Sequence, residues 1–378
     1  MDRATAAAAE VARINTFFPL LPRLGLRWAA KRPWEDMTVA VNAHLTTLTA
    51  ALVRELALGG GTWVVCAANE ATTDPGVVEL LRQQGIQVET GRDGNDRYRA
   101  TLDAHPELIA DVGYELISTL LEQRPKQASE VRAAVEITRT GINRLRQRPA
   151  PFGVMNINDG ELKYNVENRH GVGEGLWPCV TNITGMHLSG RRVLVIGYGP
   201  TGQGVATYAR AFGASVEVVE IDPIRQLVAQ YDGFPTPDLA AGLERADIAV
   251  TVTGKKGALP LSALEAVDSD LVLVNAGHGR DEIDVTGLRG SAVEGDELGP
   301  HCVRFRLRAK GPWLSVLGDG NPLNIVLNAG SPEPVLLHFA LLGRTLEHLA
   351  GERPSPGEHR VPRSLEAEVA TAAIKVRR

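Results

Sequence analysis

Cysteine is scarce in this chain. There are three in 378 residues, Cys66, Cys179 and Cys302. None stands in a CxxC pair, so neither a disulfide framework nor a zinc knuckle is indicated. The nine histidines include no HExxH pair, and no metal site is expected. A basic excess is also absent. The 40 Lys and Arg are outnumbered by 45 Asp and Glu, a net charge of −5, which leaves no field to hold nucleic acid or an anionic membrane. No apolar run approaches the roughly 20 residues of a membrane span. The N-terminal stretch carries Asp2, Arg3, Glu10 and Arg13 and lacks a secretory apolar core, so a cytoplasmic protein is expected.

What is present is the composition of a globular protein, 44% hydrophobic and 22% charged, in a chain long enough for two cores. Residues 38–57 set Val39, Val41, Leu45, Leu48, Leu52 and Leu56 at helical spacing before Gly59-Gly60-Gly61, which predicts one helix. Trp63-Val64-Val65-Cys66, Ile86-Gln87-Val88 and Leu108-Ile109-Ala110 read as short buried strands, with helical stretches from about Asp74 to Gln84 and from about Tyr114. Strands alternating with helices imply a parallel sheet. The polar stretch from Asn156 to Glu174, behind Pro149-Ala150-Pro151, has little periodicity and reads as a loop of the kind that carries function. Residues 351–378 are charged and rich in Pro and Arg, and read as a surface arm or a partly disordered tail.

The clearest pattern starts at Arg192. A strand to Ile196 is followed by Gly197-Tyr198-Gly199-Pro200-Thr201-Gly202, a helix to about Phe212, and a second strand that ends on Glu220. This is the context a dinucleotide fingerprint needs. Gly197 permits the tight turn, Gly199 lets a pyrophosphate approach the backbone, and Gly202 lets helix and strand pack closely. Pro200 fits the first helical turn, and the N–H groups there face the phosphates. Glu220 accepts from a ribose 2′-hydroxyl and repels a 2′-phosphate, which favours NAD over NADP. The fold expected is α/β with two domains. A doubly wound Rossmann-type NAD-binding domain covers 171–332. An α/β substrate domain covers 1–170, completed by 333–350, and a tail covers 351–378.

Around this core the chain resembles the S-adenosylhomocysteine hydrolases. Gly197 to Gly204 resembles that family's GYGxxGKG, Glu220-Ile221-Asp222-Pro223-Ile224 its EIDPI, and Asn275-Ala276-Gly277-His278 its NxGH. Ala43-His44-Leu45-Thr46 is similar to its LHMT, and Asn158-Asp159 with Lys163 and Asn168 to its NDxxxKxxxDN. The motifs run in the family's order over about residues 15–345. The resemblance implies tightly held NAD, a small-molecule substrate and a homo-oligomer. It implies a reaction in which a ribose 3′-hydroxyl is oxidised, the thiol is eliminated, water adds, and the ketone is reduced again. By resemblance Lys163 assists the oxidation, His44 and His278 handle leaving group and water, and Asn158 braces the lysine. Glu167 stands where the family has aspartate. Thr138, Thr140, Asn168, Thr253, Asn275, Gly277 and Asn324 join Gly197, Gly199, Pro200, Thr201, Gly202 and Glu220 as implied contacts of NAD.

The pattern is broken where the family grips its substrate. The family's DDGGDL reads Asp111-Val112-Gly113-Tyr114-Glu115-Leu116 here, which puts Val112 at a catalytic aspartate. Its EETTTG reads Glu136-Ile137-Thr138-Arg139-Thr140-Gly141, which puts Ile137 at the glutamate that binds the ribose hydroxyls. Asp111 and Glu136 each lie one residue away, which on a strand is the opposite face. Leu48 and Ser331 replace residues that read adenine, and the tail lacks the family's tyrosine. The expectation is an adenosylhomocysteinase-like enzyme acting on another nucleoside, a thioether or a polyol. The alternatives are a genuine S-adenosylhomocysteine hydrolase in which Asp111 and Glu136 stand in, an NAD-binding regulator without catalysis, and a plain dehydrogenase with exchangeable NAD.

Overall fold

Thr38–Ala43 is a strand, β1, and not the first half of a helix. The computed structural model describes residues 2–91, 93–277, 279–327 and 331–377. Val39 and Val41 face one core and Ala40 the other, so β1 is apolar on both sides. A short all-apolar run does not distinguish a doubly covered strand from a helix by spacing alone. The helix of this segment is Thr47–Ala57, with Thr46 at its N-cap.

The strands that follow are β2 (Thr62–Ala67), β3 (Gln87–Glu89), β4 (Leu108–Asp111), β5 (Ala133–Glu136) and β6 (Gly153–Asn156). Next come β7 (Arg192–Ile196), β8 (Ser215–Val219), β9 (Ile248–Thr251), β10 (Leu271–Asn275), β11 (Glu294–Gly299), β12 (Cys302–Arg306) and β13 (Leu314–Leu317). The last is β14 (Gly357–Arg360). The chain divides into two compact units, Met1–Glu167 with Pro332–Arg378, and Asn168–Ser331.

The first unit holds a sheet in the order β14-β6-β5-β4-β1-β2-β3, parallel throughout. Its order reverses between β4 and β1, and such a reversal opens a crevice at the carboxyl edge of the strands. One face packs on the Trp28–Trp34–Trp63 cluster and on helix Pro332–Gly351. Residues 351–377 are not a surface arm. β14 extends the sheet beside β6, and helix Arg363–Val376 packs on Pro332–Gly351 through Leu365, Val369 and Ala373. A few apolar residues at helical spacing suffice to anchor an otherwise charged segment, and the composition averaged over the tail hides them.

The second unit holds a sheet in the order β11-β12-β13-β10-β9-β7-β8. It is parallel from β13 to β8, with the antiparallel hairpin β11–β12 at one edge. The reversal falls between β7 and β9. The polar stretch expected as a loop is in large part helical: Lys163–Val172 forms a wide π-helix that runs into helix Gly173–Thr184. The wide turn does not follow the 3.6-residue spacing by which a helix is recognised in sequence. No helix among the described residues is long and apolar enough to cross a membrane.

Candidate functional site

In the second unit the carboxyl edge is built by glycine. β7 runs into Gly197, whose φ of +107° is open to glycine and costly for other residues. A Cβ on Gly202 would lie 2.1 Å from the Gly197 carbonyl oxygen, so helix Pro200–Ala211 starts this close to the strand only because that atom is missing. A Cβ on Gly199 would meet only the Arg225 guanidinium, 3.8 Å away, among the described residues. The space over the first N–H groups of the helix is therefore open, as an approaching pyrophosphate requires. Pro200 and Thr201 form the first turn. Glu220, just past β8, accepts from Tyr198 N at 2.7 Å, Ile221 N at 2.8 Å and Asp222 N at 2.9 Å. A carboxylate has about four acceptor positions, so one remains for a ribose hydroxyl.

Across the reversal, Asn275 ends β10 fully buried. Its amide donates to Gly279 O at 2.7 Å and Gly320 O at 2.8 Å, and its oxygen accepts from Gly277 N at 2.7 Å. Thr253 follows β9, and its methyl lies against Gly197. Asn324 sits in the short helix Leu323–Val326 with a buried side-chain oxygen that no donor among the described residues reaches; a bound amide would satisfy it. These residues fit a dinucleotide. Asn168 opens this unit. His278 lies outside the described residues.

In the first unit, His44 lies in the β1–helix connection and not on a helix face. Its Nδ1 is 2.7 Å from the Thr72 hydroxyl. Asn158, just past β6, donates to Asp159 at 2.7 Å. Burial works to raise the Asp159 carboxyl, but Asn158, Arg139, Asn156 and Arg146 together hold it below its usual range. Lys163 and Glu167 form a buried ion pair along the π-helix. Thr138 caps helix Arg139–Gln147, accepting from Gly141 N at 3.0 Å, and Thr140 lies in its first turn, partly exposed.

Asp111 and Glu136 are engaged elsewhere. Both are fully buried. Asp111 accepts from Asn42 at 2.8 Å and Ile117 N at 2.9 Å. Glu136 accepts from Gly113 N at 3.1 Å, and from Tyr114 N, Thr138 N and the Thr138 hydroxyl at 2.8 Å each. Burial works to raise the Asp111 and Glu136 carboxyls above the ordinary carboxylate range, Glu136 also through the nearby Asp111 charge, and the donors around each oppose that rise. Val112 and Ile137 are 9% and 5% exposed at the two strand ends.

Two residues, one in each unit, carry no sequence signal. Thr72 meets His44 across 28 positions, and Glu282 sits in a charged run, Arg280-Asp281-Glu282, that reads as a solvated loop although its side chain is fully buried.

Residues 168–330 match the family model of the S-adenosyl-L-homocysteine hydrolase NAD binding domain, and NAD is the cofactor this domain implies. The adenosylhomocysteinase of Thermococcus kodakarensis is 32% identical over 370 residues, 94% of this chain and 87% of that protein. The S-inosyl-L-homocysteine hydrolase of Methanopyrus kandleri is 32% identical over the same shares of the two chains. Among solved structures, a dipicolinate synthase chain from Bacillus halodurans superposes with a TM-score of 0.51 at 14% identity, covering 85% of this protein and all of that one, a likeness of fold alone. With sequence similarity running across both units and the nucleotide edge built as described, the chain belongs to the S-adenosyl-L-homocysteine hydrolase family of NAD-dependent enzymes.

Proposed function

We propose that this enzyme applies the family's internal redox chemistry to a nucleoside, thioether or polyol other than S-adenosylhomocysteine. The observation that carries this reading is the engagement of Asp111 and Glu136. Their carboxylates hold the backbone of the Gly113–Tyr114 turn and the start of helix Glu115–Gln123, which leaves Val112 and Ile137 where a ribose diol would need acceptors. Hydroxyls desolvated against those side chains would lose about 1–3 kcal/mol each.

NAD, when bound, accepts and returns the substrate's electrons. Gly197, Gly199, Pro200, Thr201, Gly202 and Glu220 would hold its adenosine and pyrophosphate, and Thr253, Asn275, Gly277, Asn324 and Asn168 its other end; the family resemblance adds Thr138 and Thr140. Lys163, as the neutral amine, takes a proton from the hydroxyl to be oxidised, and Glu167 pairs with the ammonium that results. His44, oriented by Thr72, and His278 move protons to the leaving group and from water. Asn158 braces the lysine. A homo-oligomer is part of this reading. It is supported by the exposed apolar row Ile224, Leu227, Val228 and Tyr231 on helix Pro223–Tyr231.

A second reading follows the relatives directly. Similarity over 94% of the chain to both adenosylhomocysteinases and S-inosyl-L-homocysteine hydrolases favours cleavage of one of those two thioethers. The deciding assay incubates NAD-loaded protein with each thioether and follows thiol release. Background rates with NAD still bound are expected. Sustained turnover of either compound would overturn the first reading and establish the second.

A further inference from the structure

We propose that Glu282 is a positioning residue for the half of the dinucleotide that lies beyond the pyrophosphate. The fingerprint turn and Glu220 belong to β7 and β8. In the sheet order β8-β7-β9-β10, the second nucleotide half therefore extends over the ends of β9 and β10. The loops that leave these two strands are joined by one buried carboxylate. Glu282 Oε2 accepts from Thr253 N and from the Thr253 hydroxyl, each at 2.8 Å, and Oε1 accepts from Gly254 N at 2.8 Å. On its other side the carboxylate presses on the β10 loop. A Cβ on Gly277 would fall 1.6 Å from Glu282 Oε1, so the approach exists only because position 277 is glycine. Thr253 is thus clasped between Glu282 and Gly197, whose Cβ would meet the Thr253 methyl at 3.2 Å.

The clasp has a chemical consequence. A threonine hydroxyl has one proton and two acceptor positions. The proton points to Glu282 at 2.8 Å in preference to the Lys255 carbonyl at 3.4 Å, and one acceptor position takes Lys255 N at 3.0 Å. What Thr253 offers to a ligand is therefore an acceptor alone, fit for a ribose hydroxyl or a carboxamide N–H. Glu282 fixes both where that acceptor stands and its polarity, without itself reaching the ligand. This inference rests on assigning the carboxyl edge of β7, β9 and β10 to NAD.

The test compares NAD with ADP, which ends at the pyrophosphate, as ligands of the full-length protein. Glu282→Gln is expected to weaken NAD more than tenfold and ADP less than twofold. Thr253→Val, which removes the oriented hydroxyl and leaves the carboxylate, is expected to do the same, and Thr253→Ser to stay within twofold of wild type for both. Equal losses for the two ligands would reduce Glu282 to general support of the fold and overturn the proposal, as would unchanged NAD affinity in Thr253→Val. Wild-type protein that binds neither ligand would overturn the assignment of the edge itself, and the proposal with it.

Discussion

The Glu136 carboxylate accepts a 2.8 Å hydrogen bond from the Thr138 hydroxyl, and the same oxygen takes the Thr138 and Gly113 amides. An acid so used holds two strand-end turns together. Glu136→Gln would set an amide N–H against backbone donors, and each unmatched donor costs about 1–3 kcal/mol. We expect a loss of about 2–4 kcal/mol of stability in urea unfolding and NAD affinity within twofold of wild type. A variant of full stability that has lost substrate turnover would instead make Glu136 a substrate ligand.

Lys163 and Glu167 stand or fall together. Lys163→Met leaves a buried carboxylate unpaired, which costs about 3–5 kcal/mol, whereas replacing both partners by apolar residues is often neutral. Lys163→Met is expected to unfold at markedly lower urea, and Lys163→Met with Glu167→Leu to recover most of the loss. Both variants are expected to bind NAD and to reduce it with substrate about a hundredfold or more slowly than wild type, read from the absorbance of reduced nicotinamide.

Glu220 is expected to set the choice of cofactor. Its carboxylate repels a 2′-phosphate, and Glu220→Gln removes that charge while keeping an acceptor. The ratio of NADP to NAD dissociation constants should fall at least about tenfold, equivalent to about 1.4 kcal/mol. An unchanged ratio in equilibrium titrations would remove Glu220 from the ribose site.

His338 predicts a pH dependence. The ring is 3% exposed, and neither nitrogen has a hydrogen-bond partner among the described residues. Burial, and then the Lys163 charge, holds its pKa well below the ordinary value. The folded state keeps the ring neutral while the unfolded chain binds a proton near pH 6.5. The stability it contributes is full above that pH and is lost as pH falls toward the folded value, by up to about 1.4 kcal/mol per pH unit. His338→Leu should flatten that slope below about pH 6.5, measured by urea unfolding across pH; an equally steep slope would place the acid sensitivity elsewhere.

The nucleotide edge is legible in the sequence because its demands are local. Gly197, Gly199 and Gly202 are required by a turn and a helix start within a few residues, and Glu220 by the end of the neighbouring strand. The first unit is less open to reading. Residues 38–57 join a doubly buried strand to a helix, and spacing alone merges the two, which puts His44 on a helix face when it stands in a strand-end connection. The π-helix at Lys163–Val172 reads as a loop because its turn is wider than the period that reveals a helix.

The motifs and their order along the chain point to the family by resemblance, and the alternation of strands with helices points to parallel α/β units. The fate of Asp111 and Glu136 was settled in three dimensions. Both stand one position from a place that the family resemblance assigns to the substrate, and whether such an acid turns outward or inward depends on donors supplied by Asn42, Gly113, Tyr114 and Ile117 from other elements. The same holds for Glu282, whose partners Thr253 and Gly254 lie 29 and 28 positions away. A buried carboxylate is stable only where the fold gathers donors around it, and no local pattern records where that happens.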